Sequence, residues 1–170
     1  MSMRRCVVIL TLLVLAAGGP AALAQSPSWA GSWEGRLVNY PERPGAPVVE
    51  VTRELGEIPR TPGTCTPFKT TYREGGVVKG VKDYRLCRGD AGALWVDEGD
   101  GVQLPSHLIG GVLISAFKAG TTLLIAQMRL RGDVLEEEIL TVADAPATEG
   151  VVGLGAKAIQ RLEFRRRPQR

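Results

Sequence analysis

His107 is the one histidine of the chain and the first residue to weigh for acid–base chemistry. An imidazole can serve near neutral pH as a general base or an axial metal ligand. Ser106 stands beside it, yet the Gly-x-Ser-x-Gly turn that presents a serine nucleophile is absent. Gly31-Ser32 and Ser115 occur separately, and a solvent-facing histidine on a rim accounts for His107. Asp97, Glu98 and Asp100 form an oxygen-rich cluster of the kind that binds calcium, but the spacing lacks the loop pattern that wraps the ion. Gly99-Asp100-Gly101 reads instead as a hairpin turn, where positive φ favours glycine and aspartate. Glu136-Glu137-Glu138 would place Glu136 and Glu138 on one face of a strand, with Leu140 and Val142, and Glu137 on the other. A paired-carboxylate hydrolase needs a partner at a set distance, and a solvated strand near an edge accounts for this run. Arg-Gly-Asp occurs at 88–90 and at 131–133, both times where a turn is expected. Gly153 and Gly155 begin a dinucleotide-type pattern, but Ala158 stands where its third glycine belongs and no helix follows. No catalytic, cofactor-binding or metal-ligating set is therefore assigned, and no cofactor is expected.

The three cysteines point to compartment rather than catalysis. Arg4 and Arg5 precede an apolar run, Cys6 to Ala17, which Gly18-Gly19-Pro20 interrupts before Ala22-Leu23-Ala24. This is the layout of a secretory signal peptide, 1–24, cleaved after Ala24. The apolar run is about half the roughly 20 residues that a membrane span needs, and no transmembrane segment is expected in the mature chain. Cleavage leaves Cys65 and Cys87, an even pair in an exported protein, which predicts a disulfide. The expected location is periplasmic or secreted.

Removing Arg4 and Arg5 leaves 19 basic against 18 acidic residues, and four of the basic ones are Arg165, Arg166, Arg167 and Arg170. The body, 25–164, is thus slightly acidic, and 165–170 is a basic C-terminal tail. A basic body for nucleic acid is missing. So is an aromatic platform for single strands, with three each of Trp, Tyr and Phe.

The elements that would carry any site are strands. Turn signals recur every 8–15 residues, separated by short β-forming segments: 31–40, 47–55, 68–74, 77–87, 93–98, 112–117, 121–130, 134–142 and 153–165. The loop 56–67 holds Cys65, and Pro105–Ile109 reads as a short helical or lid-like turn. In the last segment Leu154, Ala156, Ala158, Leu162 and Phe164 share one face, opposite Lys157, Arg161, Glu163 and Arg165. Closure removes the exposed edges of such a meander. The expected fold is one all-β domain, 25–164, an antiparallel up-and-down β-barrel of about 8–10 strands, with a β-sandwich as the alternative.

Trp29-Ala30-Gly31-Ser32-Trp33-Glu34-Gly35 opens the first strand. Its Gly31-x-Trp33 resembles the start of the calycin barrels: lipocalins, fatty-acid-binding proteins, avidin and the nitrobindin-like proteins. The resemblance implies that Trp33 closes one barrel end beneath a basic residue of the last strand, for which Arg161 is the candidate by cation–π contact. The Thr-Asp-Tyr motif and C-terminal helix of lipocalins are missing, and 151–164 contains no histidine to hold haem as nitrobindin-like proteins do.

Barrels of this size enclose packed side chains or one small ligand. Small residues such as Gly80, Ala126, Ala156 and Ala158 would leave room inside. The expected function is an exported, non-enzymatic, monomeric barrel binding a small hydrophobic or amphipathic ligand. Tyr72, Tyr84, Gln127 and Arg129 are the candidate polar contacts, from their mid-strand positions. One alternative is an interaction module for an envelope protein partner, with a packed interior and an apolar patch near 104–114. Another is a cofactor-independent enzyme of isomerase or cyclase type, marked by a shifted carboxylate or tyrosine in a cavity.

Overall fold

Each strand begins or ends at a backbone turn that glycine makes accessible, and between turns the side chains alternate in burial. The computed structural model describes residues 28–147 and 149–168; the expected signal peptide, 1–24, lies outside them. Ten strands follow one another: β1 (Gly31–Tyr40), β2 (Val49–Leu55), β3 (Cys65–Glu74), β4 (Val77–Arg88), β5 (Leu94–Gly99), β6 (Val102–Ile109), β7 (Val112–Ala119), β8 (Thr122–Arg131), β9 (Val134–Ala145) and β10 (Gly153–Arg166). Every strand pairs antiparallel with its neighbours in sequence, and β1 also pairs with β10, which closes the ring. The fold is an up-and-down closed barrel, not a sandwich.

The region 102–119 departs from the expected pattern. Pro105–Ile109 is not a helical turn but part of β6. Pro105 lies opposite Trp95 of β5, one residue before the β6–β7 ladder begins at Ser106 and Ser115. A proline lacking its N–H is tolerated where a ladder has ended, so the residue that suggested a break sits harmlessly inside a strand. Cys65, expected in a loop, opens β3 directly opposite Cys87 of β4, and the two form a disulfide.

The last strand differs in its faces. A bulge between Ala156 and Ala158 shifts the pairing of β10 with β9 by one residue. A bulge reverses the alternation, so Leu162 and Phe164 point inward while Leu154, before the bulge, is half exposed.

The barrel has two unlike ends. One carries the β2–β3, β4–β5, β6–β7 and β8–β9 links and is filled by Trp33, Leu55, Leu86, Leu94, Leu135 and Phe164, all buried. Gly35 on β1 faces Phe164 on β10, and a Cβ there would collide with the Glu163 carbonyl oxygen and meet the Phe164 ring. The other end carries the hairpins β1–β2, β3–β4, β5–β6, β7–β8 and β9–β10, with Val77, Val78, Val102, Val151 and Val152 exposed around it. The outward faces carry ion pairs such as Lys69–Asp83, Lys118–Asp144 and Arg161–Glu138. That is the inverse of a lipid-facing barrel, whose exterior is an apolar band.

The disulfide closes a separation of 22 residues. In the chain-entropy account such a crosslink stabilises by about 3 kcal/mol. The Cys65→Ala/Cys87→Ala variant should therefore show a lower urea midpoint, by about 3 kcal/mol of unfolding free energy, with the barrel retained. An unchanged midpoint would show that the crosslink does not restrain the unfolded chain.

Candidate functional site

Period-two alternation puts Val51, Arg53 and Leu55 of β2 on the inward face, and Leu135, Glu137 and Ile139 of β9 likewise. Two of these six inward residues are charged, and they meet across the barrel. Arg53 Nη2 donates to Glu137 Oε2 at 2.5 Å, with 4% and 7% of the side chains exposed. The guanidinium also lies 5.2 Å from the ring centre of Phe68 and 5.5 Å from that of Phe164, within cation–π range. This layer rests on the closed-end core, since Arg53 is the register partner of Trp33.

Above it is a cavity of about 190 Å³. Its apolar wall comes from Leu104, Leu113, Phe117, Leu124, Met128 and Ile139, and its polar groups include Arg53, Glu137, Tyr72, Tyr84, Lys82 and Glu98. Arg53 Nε and Nη1 are buried and without a hydrogen-bond partner. Buried donors normally find an acceptor, so two unmet ones in the barrel interior are exceptional. Burial raises the Tyr72 phenol above its ordinary value; Arg53 pulls it down and Glu137 pushes it up. Burial and the neighbouring Glu98 carboxylate raise Tyr84 as well. Both phenols therefore hold their protons through the physiological range and are suited to donate rather than to act as bases.

The structure brings Tyr72 and Tyr84 together on the cavity wall but leaves Gln127 and Arg129 out of it. On β8 the inward residues are Leu124, Ala126 and Met128, and the intervening positions face outward. Arg129 pairs there with Glu136 at 3.6 Å. Both faces of β8 carry large apolar residues, so alternation in that segment does not reveal which side is inside. Trp33 is fully buried at the closed end, but the base above it is Arg166 rather than Arg161. Register decides this: Arg166 lies opposite Trp33, whereas Arg161 lies opposite outward-facing Val38. The Arg166 guanidinium sits 4.1 Å from the Trp33 ring centre and donates to the Ala30 and Ser28 carbonyls at 2.5 and 2.6 Å. Arg161 instead covers Tyr40 and pairs with Glu138 at 2.8 Å.

The glutamate run is not an edge strand, because β9 is paired on both sides. Glu136 and Glu138 face outward to arginines, and Glu137 is the inward one. Ser106 and Ser115 bond to each other inside the barrel, their Oγ atoms 2.5 Å apart, while His107 is exposed. The Asp97 carboxylate accepts from the Gly99 N–H at 3.0 Å, capping the β5–β6 hairpin, and Glu98 turns inward to the cavity. Among the described residues no group of three or more His, Cys, Asp or Glu is placed to hold a metal ion, and no helix is long and apolar enough to cross a membrane.

Fold and interior together define a closed ten-stranded antiparallel barrel with a polar-floored cavity, compatible in architecture with a calycin-like barrel. No protein-family model, curated protein or solved structure matches the chain.

A buried ion pair is costly to break from one side only. Removing one partner typically destabilises by about 3–5 kcal/mol, whereas replacing both by apolar residues of similar volume is often neutral or stabilising. Glu137→Leu should thus lower the unfolding free energy by about 3 kcal/mol or more, and Arg53→Met/Glu137→Leu should recover most of that loss. A double variant as unstable as the sum of its single variants in urea titrations would show that the two side chains act independently.

Proposed function

We propose that this chain binds a small, partly apolar molecule in the barrel interior, as an exported, non-enzymatic protein of the periplasm or the extracellular space. The observation that carries the reading is the cavity above the Arg53–Glu137 pair, which joins an apolar wall to the Tyr72 and Tyr84 side chains. The Tyr72 and Tyr84 hydroxyls add donors to the cavity. The exposed valines around the hairpin end supply an apolar approach for such a molecule.

Export is supported by the Cys65–Cys87 disulfide, which belongs to oxidising compartments, and by the leader-like sequence of residues 1–24. Of the apolar residues at 104–114, Leu104 and Leu113 turn into the cavity, which leaves Leu108 and Ile109 exposed. The interaction-module reading thus retains a smaller surface than it requires.

Two measurements check this reading. Protein expressed with its own leader and recovered from the cell envelope should have the denatured mass of residues 25–170 less two hydrogens; a retained leader would remove the export assignment. Saturation-transfer NMR with cyclohexanol as probe should show binding to the native protein. Ala126→Phe, which fills the cavity from β8, should abolish that signal, while Ala116→Phe on the outward face of β7 should keep it. Equal signals in the two variants, both shown to be folded by circular dichroism, would place binding outside the cavity.

A further inference from the structure

We propose that the interior ligand is a one-sided amphiphile built on a single ring, which turns hydroxyl groups along one edge to β3–β5 and lays its hydrocarbon edge against β6–β9. This rests on the interior-binding reading and specifies its chemistry.

The cavity lining is divided by strand. On the β3–β5 side stand Thr70, Tyr72, Lys82, Tyr84 and Glu98, while Phe68 and Val96 of the same strands belong to the packed core. On the β6–β9 side stand Leu104, Leu113, Phe117, Leu124, Met128 and Ile139. The polar residues of that second arc are already engaged: Ser115 bonds to Ser106 at 2.5 Å, and Glu137 holds Arg53 at the floor. Gln160 of β10 donates to Asn39 at 3.0 Å. The uncommitted polar groups therefore lie on one side. Among the described residues, the lining atoms buried without a partner are Arg53 Nε and Nη1; the Tyr72 and Tyr84 hydroxyls are not of that kind and face the open space.

The chemistry of this side selects hydroxyl groups. A phenol that keeps its proton both donates and accepts, whereas the Glu98 carboxylate beside Tyr84 only accepts. A ketone or ether offers Glu98 no proton, and a carboxylate would stand next to a like charge. Lys82 and Glu98 offset one another in charge, so no net charge draws an ion to this side. A hydroxyl meets both the phenols and the carboxylate. Turned to the facing arc it would lose water and gain no partner, so hydrocarbon must lie there. The cavity of about 190 Å³ equals about six water volumes at ~30 Å³ each, which is room for one ring.

Two isomers test this, cis-1,2-cyclohexanediol with both hydroxyls on one edge and trans-1,4-cyclohexanediol with them at opposite ends. Each is titrated into wild-type protein labelled with ¹³C at the methionine methyl, Met128 being the one methionine after residue 3. The 1,2-diol should bind about fivefold or more tighter, and its ring methylene protons rather than its carbinol protons should give the nuclear Overhauser effect to the Met128 methyl. Tyr72→Phe/Tyr84→Phe should remove the preference while leaving the affinity for methylcyclohexane unchanged. Equal or tighter binding of the 1,4-diol, or carbinol protons nearest Met128, would overturn the one-sided arrangement and leave interior binding standing. A preference undiminished in the double variant would overturn the placement of the hydroxyl edge on β3–β5. Failure of both diols with cyclohexanol still bound would overturn the hydroxyl-edged ligand alone. Failure of all three would overturn interior binding and this inference with it.

Discussion

Closure of β1 onto β10 is the constraint from which the rest follows. A meander of ten strands left open would expose two rows of unpaired backbone groups; pairing Trp33 to Tyr40 with Arg166 to Ile159 removes both at once. The seam is built from unusual residues. Gly35 makes room for Phe164, Trp33 fills the floor beneath, and Arg166 spans the end by stacking on Trp33 and holding the Ser28 and Ala30 carbonyls. Trp33 Nε1 donates in turn to the Trp29 carbonyl at 3.1 Å. The first and last segments of the barrel are thereby fixed to one another, which a ring requires and an open sheet does not.

With the floor packed, the polar layer above it becomes intelligible. A lone arginine inside a barrel would be prohibitive, because an ionised group loses its hydration there. Glu137 supplies the counter-charge and the Phe68 and Phe164 rings supply two electron-rich faces. Phe164 therefore serves both the seam and the pair: its one edge meets Gly35 and its face meets Arg53. The outer surface follows the ordinary rule, with pairs such as Arg131–Glu136 largely exposed and worth little individually.

How much of this was legible from the amino-acid sequence depended on whether a residue's neighbours revealed its face. Nine strand segments, the disulfide and the barrel class were readable, because turn chemistry and β-forming runs are local signals. Arg53 was readable as well and was missed: Val49, Val51 and Leu55 share its face, so the alternation of Val-Glu-Val-Thr-Arg-Glu-Leu already turned the charge inward. Glu137 carries the same signal between Leu135 and Ile139, and two opposite charges aimed into one small interior had to meet. Gln127 and Arg129 were not decidable in that way, because Leu123 and Ile125 on their face are as apolar as Leu124 and Met128 on the other. The choice of Arg166 over Arg161 depended on register and on the bulge between Ala156 and Ala158. Pairing between the first and last strands of the barrel leaves no trace in either local segment. Pro105 misled for the converse reason, since a local break signal is silent about where a ladder happens to end.

The position of the pair, at the floor of the cavity, is what the proposed recognition would draw on. Had the fold needed only to fill space, a methionine and a leucine at 53 and 137 would have packed against the same two rings at no cost in desolvation. Placed instead at the floor of a cavity, the guanidinium has Nη2 held by Glu137 and its faces confined by Phe68 and Phe164, while Nε and Nη1 are buried without a partner. Its orientation is set before any ligand arrives, so binding need not order a long flexible side chain. In the proposed site the apolar wall would contribute affinity without direction, and the polar side chains at its floor, with Tyr72 and Tyr84, would contribute direction. That division of labour is what a small site needs, because a molecule of few atoms cannot compensate by contact area for a misplaced polar group.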